Sequence, residues 1–427
     1  MKLKILLSKL NTLVIEKPWV FFVIILIIGL YLRFNHIGEV IAFNWDQGRD
    51  AWEIRNIIQG KLTLIGPKTG IGEFHLGPIY YYLLVPFYYA ANLDPMASNY
   101  FNILANIVNF IIIFAVTKKI FNNYAALFVT LLYATSTYLT VINRIPWNVT
   151  LMPGVAALIF FSIINVYREK YRWVFAAWIL SGFYFNLHFT AIFLPLIVGA
   201  SFIFVKKKKL VIKYSLLSLP LYFIWFIPNI LYELQNSNTD YYRMRDFLQN
   251  YYIGFHLRFM LHRLSDSLLE FGAIINYPPF SLLKYLVPAV FFILAFFFGK
   301  KKEDRILAYL ISLWFIIPLF GFTIYGGPIS DYYFLYGAPM VLFVLWFLAE
   351  RLFLLKRRLL YILSILFLCL FIHHNISDTL KRPAQGGLNA QKESVKKTII
   401  NNEKIDYSEG DIRSYLYTIW EKDGARF

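Results

Sequence analysis

Residues 78–92 read PIYYYLLVPFYYAAN, and the topology of the whole chain turns on whether they cross a bilayer or lie flat on it. If they cross, Lys118 and Lys119, then Arg168, Lys170 and Arg172, then Lys206 to Lys209 and Lys300 to Lys302 all fall outside the cell, against the excess of Lys and Arg in cytoplasmic loops. If they lie flat, every one of these clusters falls inside. Five tyrosines and the internal Pro86 suit the flat reading, because Tyr prefers headgroup depth.

A membrane is the required frame. The 427 residues are 59% hydrophobic, 19% aromatic and only 16% charged, with a mean hydropathy of +0.55. A soluble domain carries about 25% charged residues, so this chain has too little polar surface to cover itself in water. Its single cysteine, Cys369, excludes an intrachain disulfide. The 42 basic against 25 acidic residues leave +17. The cations sit in short clusters between apolar runs, which reads as orientation signals and contacts with anionic headgroups rather than nucleic-acid binding.

Working outward, Trp19–Leu32 follows Lys2, Lys4, Lys9 and Lys17 and reads as an uncleaved anchor with a cytoplasmic N-terminus. Further spans are expected at Asn99–Val116, Tyr124–Ile142, Leu151–Val166, Trp173–Leu187, Ala191–Val205, Val211–Leu231, Ser281–Phe298, Ile306–Ile324, Tyr333–Leu348 and Leu359–Phe371. The expectation is an all-α polytopic membrane protein with about eleven spans and the polar material on the extracytoplasmic face. Trp173–Val205, flanked by basic clusters, forms a hairpin whose turn near His188 faces outward. The chain divides into a module 1–235 that includes the first outer loop 35–98, an outer loop 236–280 with an interfacial helix, spans in 281–376, and an extracytoplasmic tail 377–427. In the tail only Ile405–Tyr407 and Ile412–Trp420 are periodic, so it forms either a small cap or a loose extension.

The densest chemistry lies just after the first span, in Phe43-Asn44-Trp45-Asp46-Gln47-Gly48-Arg49-Asp50-Ala51-Trp52-Glu53. On a helix Asp46, Asp50 and Glu53 share one face at i, i+4 and i+7, with Arg49 beside them. Three acids so placed repel unless a cation, a metal or a function compensates, and a carboxylate near an apolar boundary suits a general base. The same spacing also describes a solvated amphipathic helix. In Glu73-Phe74-His75-Leu76-Gly77-Pro78, His75 is either an interfacial histidine or a ligand to substrate, or to a divalent metal together with Asp46 and Asp50. Asn143-Arg144-Ile145-Pro146-Trp147-Asn148 puts an Arg between two spans, where its fork matches a phosphate or snorkels to headgroups. Glu233, Arg243 and Arg245 are further candidates for phosphate or sugar contacts, as are His188 and the aromatic Tyr332.

Together the acidic motif WDQGRD, the helix entry HLGPIYYYLL and the loop NRIPWN resemble the GT-C membrane glycosyltransferases, in the branch of protein O-mannosyltransferases and lipid A aminoarabinose transferases. The resemblance covers roughly the first 235 residues. It implies a GT-C fold and an inverting transfer of sugar from a polyprenyl-phosphate donor to a lipid, glycan or protein hydroxyl, on the outer face of the cytoplasmic membrane. Asp46 is then the base, and Arg144, with Arg243 or Arg245, faces the departing phosphate. Gln47 stands where some relatives carry a second acid, and Gly77-Pro78 where two prolines are commoner, so metal dependence stays open. A lipid-linked sugar flippase or other transporter is the competing class. It would carry ionisable residues at mid-membrane and broken helices in repeated halves.

Overall fold

The computed structural model describes residues 9, 11–40, 43–237, 239–252, 254–274, 302–354, 358–382, 387–408 and 410–423. Helix α1 (Pro18–Phe34) starts on a proline, whose missing N–H is no loss in a first turn. Helix α2 (Trp45–Ile58) starts where the Gln47 side chain accepts the Asn44 backbone N–H at 2.9 Å, half of a capping box. Helix α3 (Ile79–Ala90) has 12 residues. At 1.5 Å per residue it is about 18 Å long, too short for a hydrocarbon core of about 30 Å. It buries Tyr80, Tyr81, Leu84 and Tyr88 against its neighbours and leaves Tyr82, Leu83 and Tyr89 exposed.

The bundle continues through α4 (Met96–Ile120), α5 (Asn123–Thr135), α6 (Thr137–Arg144), α7 (Met152–Tyr167), α8 (Trp173–Phe183), α9 (Leu194–Ser201), α10 (Lys208–Phe223) and α11 (Ile227–Gln235). Helices α12 (Thr239–Tyr251) and α13 (Leu257–Ala273) follow, then α14 (Lys302–Thr323), α15 (Ala338–Leu354), α16 (Arg358–Lys381), α17 (Gly387–Ile400) and α18 (Ile412–Glu421). Among the described residues seven helical stretches are long and apolar enough to cross a membrane, or eight if the α5–α6 pair, bent by 62°, is one span. The difference from eleven has identifiable sources. Trp173–Leu187 and Ala191–Val205 form helices of 11 and 8 residues joined by 3₁₀ turns, so neither reaches spanning length. Ser281–Phe298 lies outside the described residues.

The basic clusters meet at one end of the bundle. Arg168 Nη1 donates to the Lys119 carbonyl at 2.9 Å, Lys206 pairs with Glu169, and Lys207 lies over the Tyr171 ring at 5.6 Å. The polar loops gather at the opposite end, beside a second hydrophobic core built from α2, α3, the start of α4 and the tail helices α17 and α18. The tail is therefore an ordered cap. Arg55 grips Asp423 through Nε and Nη2 at 2.5 and 2.8 Å, the Tyr415 hydroxyl donates to the Leu93 carbonyl at 2.8 Å, and Gln391 donates to the Phe43 carbonyl at 2.9 Å.

Candidate active site

The site rests on a break in the bundle that leaves backbone carbonyls without helical partners. Two sets of membrane-embedded polar side chains take them. Arg33, fully buried on α1, donates to the carbonyls of Tyr133 at 2.8 Å and Ala134 at 3.0 Å, the last turn of α5, and lies against the rings of Phe110 and Tyr133. From α4, Asn102 donates to the carbonyls of Asn143 (2.9 Å) and Arg144 (3.2 Å) and accepts the Thr150 hydroxyl at 3.0 Å. Asn109 donates to the Thr150 carbonyl at 2.6 Å and accepts the Gly154 N–H at 3.1 Å. Asn99, Asn102, Asn106 and Asn109 recur at helical spacing and are all buried. They form one polar stripe, of which Asn102, Asn106 and Asn109 fasten the two ends of the irregular loop 145–151, as buried backbone at membrane depth demands, while Asn99 donates to Met96 Sδ.

Arg144 sits in that scaffold. It is 7% exposed, with Nε and Nη2 given to the Leu32 carbonyl at 3.2 and 2.7 Å. The guanidinium expected to face a phosphate thus fastens α6 to α1. Trp147 and Asn148 follow on the loop. Asn148 donates to the Leu187 carbonyl at 2.5 Å, and the Trp147 ring lies 4.8 Å from Tyr332. His188 is buried among Phe189, Tyr332 and Tyr333. Burial pushes its imidazole down to about 3, and the Thr190 N–H donates to Nδ1 at 3.3 Å, so the ring is neutral with its proton on Nε2. The turn at His188 falls at the end of the bundle that carries α2.

Helix α2 enters against this aromatic wall, with Gln47 Nε2 donating to the Pro146 carbonyl at 3.4 Å. Arg49 is the hub of its acidic face. Nη1 donates to Asp46 Oδ1 at 2.9 Å and to the Lys68 carbonyl at 3.3 Å, while Nε and Nη2 both reach Asp50 Oδ1, at 3.0 and 2.7 Å. The two carboxylates part company by burial: the Asp46 side chain is 55% exposed and that of Asp50 2%. Burial raises Asp50 to about 6 even though Arg49 opposes the shift, and the buried Tyr81 phenol lies against the same carboxylate. Asp46 also lies close enough to the Tyr332 hydroxyl for its charge to be felt there.

Beyond Arg49 a short hairpin carries His75. Across it the Gly66 N–H donates to the Leu76 carbonyl and the Leu76 N–H to the Pro67 carbonyl, and Lys68 stands opposite His75. His75 Nδ1 lies 3.0 Å from both oxygens of Asp240, which also accepts the His75 backbone N–H at 2.9 Å and Arg243 Nη1 at 3.1 Å. Burial works to raise Asp240, but these bonds outweigh it and hold the carboxyl below its ordinary value. Glu233 accepts the backbone N–H groups of Asp240 and Tyr241, each at 3.0 Å, and so caps α12. Arg245 pairs with Asp246 at 3.1 Å and lies over Tyr242. Asn186 and Asn229 fix the hairpin exit. Asn186 accepts the Ile79 N–H at 3.4 Å, and Asn229 donates to the Leu76 carbonyl at 3.1 Å. With His75 turned to Asp240 and Asp50 bound by Arg49, the expected metal set of Asp46, Asp50 and His75 does not assemble. Among the described residues no group of three or more His, Cys, Asp or Glu is placed to hold a metal ion.

Several of these residues are invisible to motif reading. Asp240 looked like one acid among the Arg243 and Arg245 neighbours, and Tyr81 like one interfacial tyrosine of five. The asparagine stripe of α4 did leave a signal, four amides on one face of an apolar run, which a search for charges passes over.

A polytopic helical bundle with an acidic helix and irregular polar loops at one end, and lysine clusters at the other, has the fold of the GT-C glycosyltransferases. Residues 76–232 match the family of dolichyl-phosphate-mannose-protein mannosyltransferases. The structure is similar to ArnT of Cupriavidus metallidurans bound to undecaprenyl phosphate, with a TM-score of 0.52 and 12% identity over 79% of this chain and 61% of that one. It is also similar to the oligosaccharyltransferase of Archaeoglobus fulgidus in the apo form, with a TM-score of 0.60 and 12% identity over 94% of this chain and 60% of that one. The same archaeal enzyme, AglB, in complex with an inhibitory peptide and a dolichol-phosphate, aligns with a TM-score of 0.56 and 11% identity over 94% of this chain and 59% of that one. This chain thus spans about 60% of the length of these proteins. No curated protein sequence matches it.

Proposed function

We propose that this protein is an integral-membrane glycosyltransferase that moves a sugar, with inversion, from a polyprenyl-phosphate donor to an acceptor hydroxyl on the extracytoplasmic face. The observation that carries the reading is the sorting of the α2 acids: Asp50 is buried and tied to Arg49, while Asp46 is exposed, oriented by the same Arg49 and within electrostatic reach of Tyr332, whose ring meets Trp147. A general base needs a fixed carboxylate with one open oxygen, and Asp46 Oδ1 is the oxygen that Arg49 holds. The acceptor oxygen attacks the anomeric carbon, its proton passes to Asp46 Oδ2, and the bond from that carbon to the phosphate oxygen breaks. The electron pair leaves with the polyprenyl phosphate.

Fixed cations near that phosphate lower the barrier, because its charge grows in the transition state. Of the three arginines considered, Arg243 is best placed. It is half-buried, shares Asp240 with His75 and lies one hairpin width from Arg49, whereas Arg144 is buried against the Leu32 carbonyl and Arg245 is more exposed, beside Asp246. Trp147 and Tyr332 offer flat faces for a sugar ring, with Asn148 and His188 fixing the wall behind them. The likeness to ArnT bound to undecaprenyl phosphate and to AglB with dolichol-phosphate supports a lipid-phosphate donor. The lysine clusters at the far end support an extracytoplasmic site through the bias of cytoplasmic loops toward Lys and Arg.

The test is to incubate purified protein with a panel of polyprenyl-phosphate sugars and analyse lipid, glycan and peptide acceptors by mass. Asp46→Asn is expected to lower transfer on the order of 10²–10⁴-fold with expression and donor binding kept. Full transfer by that variant, or reaction of a cysteine at position 46 with an impermeant label only from the cytosol, overturns the proposal.

A further inference from the structure

A groove of about 500 Å³ opens between α8, the end of α9 and α10, at the end of the bundle farthest from Asp46. Its mouth is lined by Lys208, the first residue of α10, and it runs along Val211 and Leu216 to Leu219. At 1.5 Å per residue that is a run of about 16 Å from charge to hydrocarbon depth. Trp178 lines it five residues into α8, about 7 Å from the helix start, the depth at which indoles settle in a bilayer interface. Gly199 opens one wall, since a Cβ built there meets nothing within 4 Å.

The lysines at the mouth divide into two kinds. Lys206 is engaged by Glu169 and Lys207 by the Tyr171 ring. Lys208 and Lys209 have no ion-pair partner among the described residues. Lys208 at the head of an apolar trough, with the exposed Lys209 next to it in sequence, complements a molecule with one anionic end and one hydrocarbon chain. A free inorganic anion makes no use of the trough, and a zwitterionic lipid makes little use of the charge.

We propose that this groove is a binding site for an anionic glycerophospholipid, with its phosphate at Lys208 and Lys209 and an acyl chain along α10. The donor lipid is the less suitable occupant, because its phosphate has to reach Asp46 at the opposite end. Basic pockets between membrane helices are a known setting for anionic lipid headgroups.

The full-length protein in detergent is mixed with phosphatidylglycerol or with phosphatidylcholine of the same acyl chains, and retained lipid is counted by native mass spectrometry. Phosphatidylglycerol is expected to be held roughly 10- to 30-fold more tightly, the effect of two surface lysines. Lys208→Gln with Lys209→Gln is expected to bring the two lipids to equal retention. Gly199→Leu, whose Cβ meets open space and whose side chain adds bulk to the trough wall, is expected to weaken both alike while the melting temperature holds. Equal retention of the two lipids by the unaltered protein, unchanged retention in both variants, or displacement of phosphatidylglycerol by an equal amount of polyprenyl phosphate would each overturn the proposal.

Discussion

Replacing Gly48 with alanine tests how the cap holds the proposed base. In an ordinary helix interior Gly→Ala is favourable by about 0.8–1.0 kcal/mol. At Gly48 a Cβ would stand 2.1 Å from the carbonyl oxygen of Gly410 and 3.0 Å from the backbone nitrogen of Ile412. Both neighbours are main chain and cannot swing aside as a long side chain does. Gly410 is also confined from its other side, for it adopts φ +81° and any Cβ on it would press into the Trp45 ring at 2.4 Å. Overpacking of this kind costs about 1–3 kcal/mol, which exceeds the helix gain, so the net effect is destabilising by up to about 2 kcal/mol. The tail is expected to give way first, since it is held to α2 and its neighbours by a handful of polar links: Arg55 to Asp423, Lys392 to Asp94, Gln391 to Phe43 and Tyr415 to Leu93. Hydrogen exchange is the assay, with faster exchange expected across α17 and α18 and loss of sugar transfer as α2 loosens. Gly199→Ala, where a Cβ meets open space, serves as comparator and should leave exchange unchanged. If Gly48→Ala melts at or above the parent temperature with the tail fully protected, the packing argument is wrong.

Asn102→Leu removes the amide that serves the Asn143 and Arg144 carbonyls and the Thr150 hydroxyl, and at about 1–3 kcal/mol per stranded buried group it should lower the melting temperature in detergent far more than Asn106→Leu does. Asp50, raised to about 6 from an ordinary 3.8, binds its proton more tightly in the folded chain, so stability falls as pH rises through that window. Asp50→Asn should flatten the profile of melting temperature against pH there. Asp240, held below 3.8, has the opposite sign: its contacts are complete above the ordinary carboxylate range and are lost as pH falls through the folded value. Hydrogen exchange in residues 66–76 should therefore rise in acid, and Asp240→Asn should produce that rise at neutral pH.

Periodicity and charge placement carried most of the architecture. The gathering of the clusters around Lys119, Arg168 and Lys206 at one end follows from a rule about loops that needs no coordinates, and the structure sets Arg168 against the Lys119 carbonyl and Lys206 against Glu169. The acidic face of α2 was legible for the same reason, since i, i+4 and i+7 on a helix is arithmetic. Burial was not. Nothing in WDQGRD says that Asp50 turns inward and Asp46 outward, because that depends on Tyr81 and on where a loop 19 residues beyond Arg49 presents the Lys68 carbonyl. The contact of Arg144 is out of reach for the same reason: an arginine between two spans shows no partner until the Leu32 carbonyl, more than a hundred residues earlier, is brought beside it. His75 and Asp240, 165 residues apart, lie beyond any local pattern. The break near His188 in Trp173–Val205 was legible, but the helix lengths on either side, 11 and 8 residues flanked by 3₁₀ turns, were not.

The amide stripe on α4 bears on how the chain is made. A helix presenting Asn102, Asn106 and Asn109 to bare lipid would leave those amides short of partners, because the groups they meet outside α4 lie on the segment from Asn143 to Gly154, made later in synthesis. Stable integration of α4 therefore waits for translation to run at least 34 residues past its last turn, so that it and the segment through α7 leave the translocon as one unit.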